Sequence, residues 1–120
     1  MNKPISRRQH ILTDYALSPL VAAAPEIFGF QKESSAATLL CRMLGGGILA
    51  ATSVTRAEGA LVPIVPFKAH LAGDFAGALF TMGAPWLLGF ADNAKARNTF
   101  LGLGAVILMA GSLTQTEEMT

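Results

Sequence analysis

Residues Ala84–Phe90 read A-P-W-L-L-G-F, and sixty positions earlier Ala24–Phe30 read A-P-E-I-F-G-F. The correspondence runs outward from these stretches and is read without a gap. His10 pairs with His70, Asp14 with Asp74, Ala16 with Ala76, Pro25 with Pro85, Gly29 with Gly89 and Phe30 with Phe90. Conservative pairs fill in between, among them Arg8 with Lys68, Ile11 with Leu71, Tyr15 with Phe75 and Ile27 with Leu87. Both histidines of the chain fall in this register. Such self-similarity marks a tandem duplication, with a first repeat over about 10–55, a linker over 56–67 and a second repeat over about 68–115.

Composition selects the solvent. A chain of 120 residues forms one domain. Hydrophobic residues make up 52% and charged residues 14%, against roughly 25% charged in an average soluble domain. The mean hydropathy is +0.46. Lipid is the expected main solvent and the expected partner. A net charge of +1 without a basic stripe argues against nucleic acid. One cysteine, Cys41, excludes an internal disulfide framework and a CxxC site. No cofactor and no resident metal is expected. The start carries Lys3, Arg7 and Arg8, but Asp14 interrupts the apolar stretch that follows, so the N-terminus is expected to be retained rather than cleaved.

Four apolar segments follow the polar, basic residues 1–9, which read as a tail. Ile11–Phe30 is long enough to cross a hydrocarbon core, with a kink expected near Pro19. Ala36–Thr55 contains Gly45-Gly46-Gly47, and Gly46 and Gly47 form small-xxx-small pairs with Ala50 and Ala51. Phe67–Phe90 contains Gly73-x-x-x-Gly77. Asn98–Gln115 carries no charge and is the cleanest candidate span. The turns at Gln31–Ser35 and Asp92–Arg97 give two helical hairpins. The expected fold is all-α, with four transmembrane helices as two tandem hairpins. An even number of spans per repeat relates them by a pseudo-twofold axis along the membrane normal. Lys3, Arg7, Arg8, Arg56 and Lys68 on one side outnumber Lys32, Lys95 and Arg97 on the other, which places both termini in the cytoplasm. Trp86, Phe28, Phe30 and Phe90 would form an aromatic belt at the opposite interface.

Two polar constellations stand out. His10 and Asp14, like His70 and Asp74, are four apart and share a helix face. Packing about a pseudo-twofold axis would bring the two pairs together. They read either as hydrogen-bonding structure near the headgroups or as an intramembrane proton relay or two-histidine, two-carboxylate metal site. Glu26 and Arg42 lie at matching depth on either side of the first turn and are expected to form an ion pair, with Trp86 and Gly102 in their places in the second repeat. Gly46, Gly47, Gly73 and Gly77 are expected to be helix-packing positions. No phosphate loop and no nucleophile–base pair is evident, so no catalytic residue is assigned and the chain is not expected to be an enzyme.

The pattern H-x-x-x-D-[YF], then A-P-W-L-L-G-F, then a short turn and a second apolar helix, resembles the SPW-repeat family of small bacterial integral membrane proteins. Its two-helix repeats are named for a Ser-Pro-Trp motif. Here Ala84-Pro85-Trp86 carries that motif with Ala in the Ser position. The first copy keeps Pro25, Gly29 and Phe30 but has Glu26 in place of Trp. The resemblance implies a four-helix protein of the bacterial cytoplasmic membrane and no known activity. The reading is therefore a non-catalytic structural, assembly or accessory subunit, packing with itself or with a larger membrane complex. The alternatives are a small proton- or ion-coupled transporter or metal-binding membrane module using His10, Asp14, His70 and Asp74, and a soluble helical domain.

Overall fold

A computed structural model describes residues 3–119. Five helices form among them: α1 (Arg7–Ala22), α2 (Ala24–Ile27), α3 (Ser35–Ser53), α4 (Phe67–Leu87) and α5 (Ala94–Ser112). Their starts are written in the sequence. Ser6 accepts from Gln9 N while the Gln9 side chain accepts from Ser6 N, a reciprocal cap on α1. Ser34 caps α3 through Ala37 N, and Asn93 caps α5 through Ala96 N. Helix α4 starts after Pro66 and has no cap of its own. The Glu118 carboxylate, from the far end of the chain, accepts from Phe67 N at 2.7 Å and Lys68 N at 2.9 Å.

The repeated heptapeptide is a helix stop. Gly29 and Gly89 adopt φ of 79° and 77°, a conformation glycine takes without a Cβ penalty. Phe30 N then donates to Pro25 O at 2.9 Å and Phe90 N to Pro85 O at 2.8 Å, the six-to-one bond of a Schellman motif. Each turn swings its phenylalanine inward. Phe30 and Phe90 pack with Leu40, Cys41, Ala96 and Phe100 into a core shared by the two hairpin tips.

Helix α1 packs on α3 and α4 on α5, while α3 and α4 touch little. Close approach occurs at Gly45 and Gly104. A Cβ there would lie 2.7 Å from Ser18 O and 2.8 Å from Ala78 O, respectively. At the opposite end from the tips the connections cross over. Ile5 pairs with Thr114, and Val65 pairs with Thr55. A second cluster of Ile11, Ala57, Phe67 and Leu71 lies there.

Several expectations change. The repeat is not gapless. The second turn is one residue shorter, so the second helices correspond at a spacing of 59, as the pairs Ser34/Asn93, Gly45/Gly104 and Thr55/Thr114 show. Gly46, Gly47, Gly73 and Gly77 are not intrachain packing positions, because a Cβ at any of them meets nothing within 4 Å. Phe30 and Phe90 belong to the core rather than to an exposed belt, whereas Phe28 and Trp86 are exposed. Helix α1 runs through Pro19 and breaks at Ala23. Arg7–Gln9 form the first turn of α1 rather than a tail, and Met1 and Asn2 of that expected tail lie outside the described residues. Helix α5 starts at Ala94, so it includes Lys95 and Arg97 and is not free of charge. Among the described residues one helix, Ser35–Ser53, is long and apolar enough by itself to cross a membrane.

Candidate functional site

The first two turns or so of α1 and α4 bring His10, Asp14, His70 and Asp74 together. Each histidine reaches across to the other hairpin. His10 Nε2 lies 2.9 Å from Asp74 Oδ2, and His70 Nε2 lies 2.9 Å from Asp14 Oδ2. Along each helix the distances are 3.2 Å for His10–Asp14 and 3.3 Å for His70–Asp74. Two nitrogens and two oxygens thus alternate around a small ring. The imidazoles are buried and meet edge to face at 5.4 Å between centroids. The buried Phe67 ring stacks on His70 at 6.0 Å and meets His10 edge-on at 5.7 Å, which covers one side of the cluster. Asp74 is the most accessible of the four, its side chain 23% exposed. A groove of about 440 Å³ between α3 and α4 ends on His70 and Asp74.

Two threonines fix the imidazoles. The Thr55 hydroxyl donates to Ala51 O and the Thr114 hydroxyl to Ala110 O. A hydroxyl has one proton to give. Toward His70 Nδ1 at 2.8 Å and His10 Nδ1 at 2.9 Å these oxygens therefore accept. Both Nδ1 atoms carry the proton, and both Nε2 atoms point into the ring of carboxylate oxygens. A bare Nε2 lone pair facing an ionised carboxylate repels it. The ring is consequently held together by a proton in each cross-hairpin Nε2–carboxyl contact, or by a cation among the four atoms.

Residues outside the cluster tie α1 to the α3–α4 connection at its level. Arg7 pairs with Glu58 at 2.8 Å, and its guanidinium holds the Glu58 carboxyl below the usual range. Tyr15 donates to Gly59 O at 2.7 Å. The backbone N–H groups of Lys68 and Phe67 likewise hold Glu118 low. At the opposite tip, Asn93 and Lys95 bond Glu33 and depress its carboxyl.

A sequence model of the SPW repeat domain matches residues 8–114. The chain belongs to the SPW repeat family. No curated protein and no solved structure matches it. Family membership and the apolar helix α3 point to a small membrane protein. In this SPW repeat protein the motif and the polar cluster occupy opposite ends. Ala84 and Pro85 are fully buried at the tip, and Trp86 projects outward, 59% exposed. In the first half the position of Trp86 is Glu26, whose carboxylate takes both Arg42 Nη atoms, at 2.8 and 2.5 Å. Arg42 also donates to Ala22 O, where α1 breaks. The counterpart of Arg42 is Leu101 rather than Gly102, because of the shorter second turn.

The sequence reading named the four ring residues and missed Thr55 and Thr114. Their signal is visible once the second helices are aligned at a spacing of 59. Ala51-Thr52-Ser53-Val54-Thr55 then faces Ala110-Gly111-Ser112-Leu113-Thr114.

Proposed function

We propose that this chain is a multi-pass protein of the bacterial cytoplasmic membrane with a non-catalytic structural or assembly role. Two duplicated hairpins, α1–α3 and α4–α5, join about a pseudo-twofold axis along the membrane normal, and the His/Asp ring is their clasp. One observation carries the reading: large apolar side chains cover the surface, while a set of polar ones is buried within the apolar core. His10, Asp14, Ser18, Thr52, Thr55, His70, Thr81 and Thr114 are buried, while Leu20, Leu39, Met43, Leu79, Trp86 and Met109 are exposed. Water as solvent penalises the exposed apolar side chains, whereas lipid solvates them and drives polar groups such as the His/Asp ring to find partners inside the protein. Equivalent contacts on the two sides of the ring support the duplication. The surface glycines Gly46, Gly47, Gly73 and Gly77 leave room for acyl chains, another copy or a larger membrane complex. The end bearing Lys3, Arg7, Arg8, Arg56 and Lys68 is the cytoplasmic one.

Carbonate extraction of membranes tests the solvent, and release of the protein into the soluble fraction would overturn the reading. Cys41 is buried, so cysteines introduced singly at Glu58 and at Lys32 report the two ends by impermeant thiol labelling. Glu58→Cys should label from the cytoplasm and Lys32→Cys from outside. A second reading, an ion-coupled carrier, draws on the groove that reaches Asp74. Its walls, among them Met43, Leu44, Ile48 and Ile107, are apolar, which favours the structural role.

A further inference from the structure

Resting on that reading of the ring as a clasp, we propose that His10, Asp14, His70 and Asp74 bind one divalent transition-metal ion of the zinc, cobalt, nickel and copper class. Four observations converge on it. The four ligand atoms lie within 4.8 Å of one another. Ring edges of 2.9–3.3 Å put the centre of a planar ring about 2.2 Å from each atom, at the upper end of Zn–N and Zn–O bond lengths of roughly 2.0–2.2 Å. The threonines aim both Nε2 lone pairs inward, and Nδ1–H donating to an oxygen is the usual outer support of a metal-bound imidazole. Charge also closes, because two neutral imidazoles and two carboxylates carry −2, which one divalent ion neutralises. Without the ion, the same neutrality takes two protons in the ring, so uptake of the ion displaces two protons. Imidazole nitrogen selects this metal class over calcium and magnesium, which prefer all-oxygen sites. The groove between α3 and α4 gives an approach from the Asp74 side.

Full-length protein in detergent, stripped with a chelator, is titrated with Co²⁺ and Zn²⁺ separately, following visible absorption for Co²⁺ and calorimetry for both. One ion per chain with a d–d spectrum showing nitrogen and oxygen ligation is expected. Asp14→Asn with Asp74→Asn should abolish stoichiometric uptake. Thr55→Val with Thr114→Val keeps all four ligands and should weaken binding by about 10–100-fold. If the asparagine variant does not fold, the wild-type titration and the threonine variant still decide. Absence of stoichiometric uptake by the wild type overturns the proposal, as does affinity unchanged in the threonine variant. The clasp is read separately, from the thermal stability of chelator-treated protein. Stability lost in the metal-free asparagine variant, with no metal uptake by the wild type, sinks the metal site and leaves the clasp standing. Metal uptake with metal-free stability unaffected does the reverse.

Discussion

The base and the tip of this molecule treat equivalent positions differently. At the base, His10, Asp14 and Thr114 make the same contacts as His70, Asp74 and Thr55. At the tip, Glu26 and Arg42 stand where the other half has Trp86 and Leu101. Contacts explain the contrast. Every base contact named here runs between hairpins, so each residue answers to a partner in the other half. The Glu26–Arg42 pair lies within one hairpin, and Trp86 faces outward. The positions that clasp the two hairpins match between the halves, and this one locally satisfied pair does not.

The largest effect should come from breaking the matched end. Asp14→Asn or Asp74→Asn leaves a buried imidazole without its cross-hairpin carboxylate. Each should destabilise by about 3 kcal/mol or more, and the double variant should cost clearly less than the sum, because the ring acts as a unit. Thermal unfolding in detergent across the four-member cycle measures it, and strict additivity would contradict a shared ring. Next in size is the helix contact inside each hairpin. Gly45→Val drives a side chain into Ser18 O and Ala22 and should cost about 1–3 kcal/mol. Gly46→Ala, one position on, meets nothing and should be neutral or slightly stabilising through helix propensity. Equal losses at both would contradict the packing described for α1 and α3.

A smaller effect is expected at the divergent end. Arg42→Leu strips the donor from Ala22 O and leaves Glu26 unpaired, so it should lower the unfolding midpoint. Adding Glu26→Trp, which gives the first half the residues of the second, should recover part of that loss. A double variant no better than the single would show that the tips are not interchangeable. The smallest effect is at Glu118. Its carboxyl is held below the usual range by the backbone N–H groups of Lys68 and Phe67. Its stabilising contribution is therefore complete at neutral pH and fades as pH falls through that lowered value. Wild type and Glu118→Gln should differ in unfolding midpoint at pH 7 and converge once the pH is low enough to protonate Glu118 in the folded protein.

Much of this was legible in the residues. The repeated heptapeptide ends the first long segment of each half, so both hairpin turns are legible, whereas the burial of Phe30 and Phe90 behind a left-handed glycine is not, because an aromatic at a segment end suits a membrane interface equally well. The spacing of His and Asp placed each pair on one helix face, and the placement of Glu26 and Arg42 about a short turn brought them to equal depth. Less legible were features set by a single residue of register. The shorter Phe90–Asn93 turn shifts α5 by one position, and that shift hid Thr55 and Thr114. The glycines misled for a related reason. Small residues show where a helix can be approached, but not from which side, so Gly45 and Gly104 turned out to face the hairpin partner while Gly46 and Gly47 face away. The charges of Lys95 and Arg97 suit a turn as well as a helix start, so the sequence alone puts the start of α5 after Arg97, whereas Asn93 caps the helix ahead of them.

The two bridges near the ring carry one further consequence. Ile5 exchanges backbone hydrogen bonds with Leu113 and Gln115, just as Val65 does with Val54 and Arg56. The beginning and end of the described chain are thus stitched side by side in the manner of the middle connection. A circularly permuted gene, with a short loop joining the old ends and new ends opened near Gly59, should encode the same object with its halves in reverse order.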